Sequence, residues 1–263
     1  MRGPNTSSAV MQQRREPPDS FDDFPTHPWA TRAMLEKLTE RGHALHLQTV
    51  WEPCCNRGFM AMPLAEAFDK VIATDIFDYG WQGQQDTFDF LGPWPGWIDD
   101  AVDACQIDWV IANPPFNLAD QFIRMALSVA QIGVMVFVRG AFDEGEGRYN
   151  ALFRDLPEAY DFPFVQRVPI HRGKLRHPRR KYWVPSDDPD AEPDDGTWKT
   201  PSTATAYKWL GWLTIEGCAT DKDRIAPCRD RLMREDDYPI RHDDEFGPGG
   251  PDATLPLLRE AGL

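Results

Sequence analysis

The chain has no apolar run approaching the roughly 18 residues that cross a bilayer. Its first stretch, "MRGPNTSSAVMQQRREPPDS", holds no apolar segment of the kind a secretory signal carries. A cytoplasmic setting with no membrane partner is expected. Cysteine is scarce and unpatterned: the five residues Cys54, Cys55, Cys105, Cys218 and Cys228 are odd in number and show no C-x-x-C spacing. Neither a disulfide framework nor a zinc site is indicated, so reduced thiols and no metal are expected. The G-x-G-x-x-G fingerprint is missing, which counts against a nicotinamide dehydrogenase. Basic residues are outnumbered, and the formal net charge of -14 argues against non-specific nucleic-acid binding by the whole surface while leaving a local patch open.

What is present is a globular composition. With 263 residues, 41% hydrophobic and 27% charged, the chain can bury one sizeable core and a small appendage. Residues 1 to 22 read as a flexible tail, and "PSDDPDAEPDDG" and "REDDYPIRHDDEFGPGGPD" as solvated acidic loops. Between them the short apolar runs "LHLQTVW", "KVIATDI", "TFDFL", "DWVIAN" and "GVMVFV" alternate with helical stretches such as "MAMPLAEAF", "ADQFIRMALSVA" and "EGRYNALF". That alternation predicts a doubly wound α/β sheet of parallel strands. Two later runs, "FVQRVPI" from Phe164 and "ATAYKWLGWL" from Ala204, have no convincing helix between them and are expected to pair antiparallel at one edge. Pro28 suits a first helical position, and Trp29, Ala33 and Leu38 then fall near one packing face.

Ligands of such sheets bind at the carboxyl ends of the strands. Glu52 and Pro53 end the first strand and lead into a turn closing on Gly58, where Asn56 is able to supply positive φ. Asp75 ends the second strand, placed to accept from two ribose hydroxyls. The third strand ends in "DFL", where Asp89 and Phe90 offer an acceptor and a ring to an adenine. Each has a plainer reading as a turn or helix cap. At the end of the fourth comes Asn113-Pro114-Pro115-Phe116, a loop stiffened by two prolines. The Asn113 amide and the Pro114 carbonyl are acceptors and Phe116 is a stacking surface, a set that suits a planar heterocycle bearing an NH2 group. Two acceptors on that nitrogen favour pyramidal geometry and localise its lone pair, so they act mainly on the transition state.

Taken in order, these motifs resemble those of S-adenosylmethionine-dependent DNA amino-methyltransferases of the adenine-N6, phage-type group. "FPTHPWATRAML" resembles the segment that contacts the methionine end of the cofactor, "EPCCNRG" the glycine-containing first motif, "ATDIFD" the ribose-binding acid, "DFL" the adenine-binding motif and "NPPF" the catalytic motif. "RVPIHRGKL" and "STATAYKWLGW" resemble later segments of phage-type members, so the likeness covers roughly residues 24 to 230. The resemblance implies a Rossmann-like, mostly parallel seven-stranded sheet with an antiparallel edge strand. It implies a domain over residues 23–218, a DNA-contacting segment inserted at 171–203 and a partly disordered extension at 219–263. The implied cofactor is S-adenosylmethionine, leaving as S-adenosylhomocysteine, and the implied partner is double-stranded DNA, bound by a monomer or weak homodimer in a bacterial or phage-infected cell. Carried over by residue, Thr26 contacts the methionine carboxylate and Glu52 its ammonium. Cys54, Asn56, Gly58 and Ile76 line the cofactor, Asp75 takes the ribose hydroxyls, and Asp89 with Phe90 the adenine. Asn113, Pro114, Pro115 and Phe116 hold a flipped target base. The same motif serves methyltransferases of RNA bases and of protein glutamine, and a catalytically silent binding relative is a further alternative.

The charge is segregated. "RVPIHRGKLRHPRRK", residues 167 to 181, holds seven Lys or Arg and no acid. Arg172, Lys174, Arg176, Arg179 and Arg180 are therefore candidate DNA contacts. The plainer reading is a strip neutralised by the acidic "DDPDAEPDD" that follows.

Overall fold

The computed structural model describes residues 22–188, 192, 195–215 and 219–247. Residues 1 to 21 of the expected tail, parts of both acidic loops, Cys218 and the end of the C-terminal extension lie outside these residues, whereas Asp22 is ordered against the "NPPF" loop, accepting from Phe116 N at 2.8 Å.

The central sheet runs through β1 (Thr49–Glu52), β2 (Lys70–Asp75), β3 (Asp86–Thr87), β4 (Trp109–Ala112), β5 (Gly133–Arg139), β6 (Tyr160–Pro163), β9 (Tyr207–Leu213) and β10 (Asp221–Lys222), in the order β10-β6-β9-β5-β4-β1-β2-β3. The sheet is parallel apart from β9, which is antiparallel to both β5 and β6. A separate hairpin, β7 (Tyr182–Pro185) with β8 (Gly196–Lys199), lies between β6 and β9 in the chain. Both faces of the sheet are covered, so its strands alternate between two cores. In β5, Met135 and Phe137 face one core with Trp29 and Leu38 of α1 (Pro28–Glu40). Val134, Val136 and Val138 face the other, which is covered by α3 (Gly96–Asp103) and α4 (Ala119–Val129). α4 buries Phe122, Ile123, Ala126 and Val129 there, and each large side chain contributes about 1.5 to 3 kcal/mol of transfer free energy. The helical stretch after Met60 forms α2 (Ala61–Ala65), and that at 146 forms a short α5 (Glu146–Arg148) followed by a π-helical turn, Tyr149–Phe153.

Three details depart from expectation. The first strand begins at Thr49, because Leu45–Leu47 is a 3-10 turn. The run from Phe164 forms no strand beyond a single bridge from Phe164 to Ile225, and the strand beside β9 lies just before it at Tyr160–Pro163. Its Asp161 and Pro163 are poor strand signals, yet the buried Asp161 carboxylate is neutralised by Lys208 at 3.4 Å and by Lys222, and pairing with β9 does the rest. The sheet has eight strands rather than seven because the two-residue β10 pairs parallel with β6.

The described part of the C-terminal extension is fastened to the domain. A last helix, α6 (Arg229–Leu232), is followed by Asp237, which accepts from buried Arg32 of α1 at 2.7 Å. His27, at the N-cap of α1, donates from Nε2 to Pro169 O at 2.6 Å and accepts at Nδ1 from the Tyr238 hydroxyl at 3.0 Å. Burial holds its imidazole down at a pKa of about 3, so it is neutral. Trp29 is wholly buried with its ring edge against Phe164, a packing residue as expected.

Candidate active site

Because β4, β1, β2 and β3 are adjacent and parallel, their carboxyl ends open on one cleft. Thr26, Glu52, Cys54, Asn56, Asp75, Ile76, Asp89, Phe90, Asn113 and Pro115 line it together. Of the other residues expected here, Gly58, Pro114 and Phe116 lie outside the lining.

Glu52 is 1% exposed, and its Oε2 has no hydrogen-bond partner among the described residues. Burial, with the nearby Asp75 charge adding to it, pushes the Glu52 carboxyl well above the usual carboxylate range. A buried acceptor without a donor, facing a cleft, is a site for a cationic group. Asp75 has a different environment. Its Oδ2 accepts from Asn56 N at 2.8 Å and its Oδ1 from Phe77 N at 3.1 Å, and these backbone donors oppose the larger effect of desolvation, which raises its pKa. The backbone pair orients both oxygens and leaves lone pairs for hydroxyl donors.

The turn after β1 is built as its residues require. Asn56 takes the left-handed conformation, φ 50°, and its side chain bridges Arg57 N at 2.8 Å and Asp23 at 2.8 Å. Gly58 has φ +79°, and a Cβ there would come within 2.2 Å of the Trp81 ring. It shapes the turn rather than touching the cleft. Asp89 spends Oδ1 on Leu91 N at 2.9 Å, the turn-capping role weighed above, while still lining the cleft. Phe90 is 2% exposed and packs edge-on against Trp51 with centroids 4.9 Å apart.

At the "NPPF" loop the fold orients the asparagine. Asn113 Nδ2 donates to Phe24 O at 2.8 Å and to Thr26 Oγ1 at 3.0 Å, so both amide hydrogens are used within the protein. Its Oδ1 has no partner among the described residues and is left as an acceptor at the cleft. Thr26 is thus an orienting contact for Asn113, and its hydroxyl hydrogen remains to donate. Pro114 is buried. Phe116 packs against Phe24, centroids 5.7 Å apart, and the Arg139 guanidinium carbon lies 4.2 Å from its ring centroid.

The basic strip meets acids from the C-terminal extension. Lys174 pairs with Asp244 at 2.7 Å, Arg176 with the same carboxylate at 2.8 Å, Arg179 with Asp230 at 2.8 Å and Arg180 with Glu235 at 3.2 Å. Arg176 is 6% exposed and stacks on Tyr182. These four pairs draw their carboxylates from residues 230 to 244.

Sequence reasoning missed Phe24, Tyr79, Leu118 and Phe122 as lining residues. Phe122 was legible only as an apolar position of α4, and Tyr79 sits in an irregular loop where no periodicity applies. Among the described residues no helix is long and apolar enough to cross a membrane, and no group of three or more His, Cys, Asp or Glu is placed to hold a metal.

The sequence matches no protein-family model and no curated protein. Among solved structures it is similar to a type I restriction-modification system methyltransferase subunit from Streptococcus thermophilus, at 10% identity and TM-score 0.49, over 92% of this chain and 54% of that one. It is also similar to magnesium protoporphyrin IX methyltransferase from Synechocystis with bound SAM, at 14% identity and TM-score 0.39, over 72% of this chain and 79% of that one. The chain thus spans about half the length of the restriction-modification subunit.

Proposed function

We propose that this chain transfers a methyl group from S-adenosylmethionine to the exocyclic N6 amine of adenine in double-stranded DNA, with the base flipped into the cleft beside Asn113. The observation that carries the reading is the Asn113 amide: both hydrogens are tied to Phe24 and Thr26, which leaves the oxygen as the open acceptor of a residue lining a cleft shared with Glu52 and Asp75. The cleft fits the cofactor. The unpartnered, buried Glu52 carboxylate suits an ammonium, and Asp75, preset by two backbone donors, suits a ribose diol. Asp89 and Phe90 line the part left for the adenine.

When bound, the cofactor supplies an electrophilic methyl group. The protein's part is to prepare the amine. Asn113 Oδ1 and the Pro114 carbonyl accept its two hydrogens, localise the lone pair and stabilise the positive charge that builds on nitrogen during attack. The amine proton then passes to solvent, and no strong base is needed beforehand. Phe116, already braced by Phe24 and Arg139, offers its remaining ring surface to the flipped base. Labelled methyl donor incubated with DNA, RNA and protein pools tests the reading: label on adenine N6 of DNA is expected. Label confined to RNA or to glutamine would reassign the substrate, and absence of label from all three would refute the activity.

A further inference from the structure

Lys174, Arg176, Arg179 and Arg180 of the basic strip are neutralised by carboxylates, but Arg167 at its start is not, and it belongs to a second cluster of cations. An open groove beside the "NPPF" loop is lined by Arg139 at the end of β5, Arg167 after β6, and Arg224 after β10. None of the three has an ion pair or side-chain hydrogen bond among the described residues. Arg167 and Arg224 are exposed. Two further cations in the groove, Lys208 and Lys222, neutralise its Asp143 and Asp161, which leaves Glu144 as the remaining acid against three arginines. A net positive groove on a protein of formal charge -14 is a local feature that the overall field would otherwise oppose. It lies at the carboxyl edge of β5 and β6, the same edge as Asn113, and Arg139 spans the two by resting on the Phe116 ring at 4.2 Å.

We infer that this groove, rather than the strip at 172 to 180, holds the sugar-phosphate backbone flanking the target base, with Arg167 and Arg224 as phosphate contacts and Arg139 linking the backbone track to the base pocket. The guanidinium fork matches phosphate oxygens two at a time, and arginines without a protein carboxylate bind one without first breaking an ion pair. Arg179 and Arg180 would have to release Asp230 and Glu235. This inference rests on the nucleic-acid reading above and names the surface that serves it.

Binding of a labelled DNA duplex and of an RNA of the same sequence, titrated against salt with S-adenosylhomocysteine present, tests it on the full chain. Replacing Arg167 and Arg224 by Ala should lower the magnitude of the log-log salt slope for DNA by about 0.9 per lost contact, roughly 1.8 for the pair. Replacing Arg179 and Arg180 by Ala should leave the slope at the parent value. Calorimetric affinity for S-adenosylmethionine should be the same in all three proteins, which shows that the fold and the cofactor site are intact. A parent-like slope for the Arg167/Arg224 variant, or a reduced slope for the Arg179/Arg180 variant alone, overturns the inference. A slope that falls as expected while no methyl group reaches DNA upholds the groove and refutes the proposed reaction. A parent protein that binds neither nucleic acid in a salt-dependent way overturns both.

Discussion

Replacing Glu52 by Gln keeps the side-chain shape and removes one charge, and its consequences differ with and without cofactor. In the free protein Glu52 is 1% exposed with Oε2 unpartnered, and burial plus the Asp75 charge hold its carboxyl well above the ordinary range. The folded state therefore keeps a proton that the unfolded chain has released, and stability must fall as pH rises from the unfolded carboxylate range to the folded pKa of Glu52. The glutamine variant lacks this dependence. Its unfolding free energy should therefore rise relative to the parent's with pH across that window, the variant becoming the more stable by up to about 1.4 kcal/mol per pH unit. Binding runs the other way. An ammonium against Glu52 favours the carboxylate, so uptake of S-adenosylmethionine should release a proton, and the charge-assisted bond is worth about 1.5 to 3 kcal/mol. The variant should thus bind roughly 10- to 150-fold more weakly, and the proton release should vanish. Calorimetry in two buffers of different ionisation enthalpy reads affinity and proton count together. A variant that binds as tightly as the parent, with the same proton release, would remove Glu52 from the cofactor site.

Replacing Asn113 by Ala should abolish methyl transfer while leaving cofactor affinity nearly intact, because its acceptor serves the target amine; a normal turnover rate would refute the mechanism. Thr26→Val, which deletes the acceptor holding Asn113 Nδ2 at 3.0 Å, should lower the single-turnover rate, and an unchanged rate would show that Phe24 O alone orients the amide. Asp75→Ala should weaken S-adenosylmethionine binding by about 1 to 3 kcal/mol, since ribose hydroxyls lose a charged acceptor; unchanged affinity in calorimetry would take Asp75 out of the site. His27 is held neutral, its pKa lowered from 6.5 to about 3 by burial. The unfolded state thus binds the extra proton between those values, and stability should fall as pH drops below about 6.5. His27→Gln should flatten part of that acid slope in denaturant titrations, and an identical slope would mean that other groups carry it.

The strand-end residues were legible from the sequence because the argument needs only local periodicity and the rule that parallel strands end together. Glu52, Asp75, Asp89 and Asn113 are separated by tens of residues, yet each ends an apolar run or follows one closely, and the sheet order brings them to one cleft. The left-handed conformation of Asn56 was readable for the same reason, since few side chains tolerate it. What the tertiary structure alone decided concerns partners far apart in the chain. The Asn113 amide is aimed by Phe24 and Thr26, 89 and 87 residues earlier. The strip around Arg176 is neutralised by Asp244, 68 residues later, whereas Arg167 and Arg224 meet no carboxylate among the described residues. β6 escaped notice because an aspartate in a buried strand is acceptable only once Lys208 and Lys222 arrive beside it. A run of residues states its own polarity and spacing, but whether a charge or an amide is already satisfied depends on distances that only packing sets.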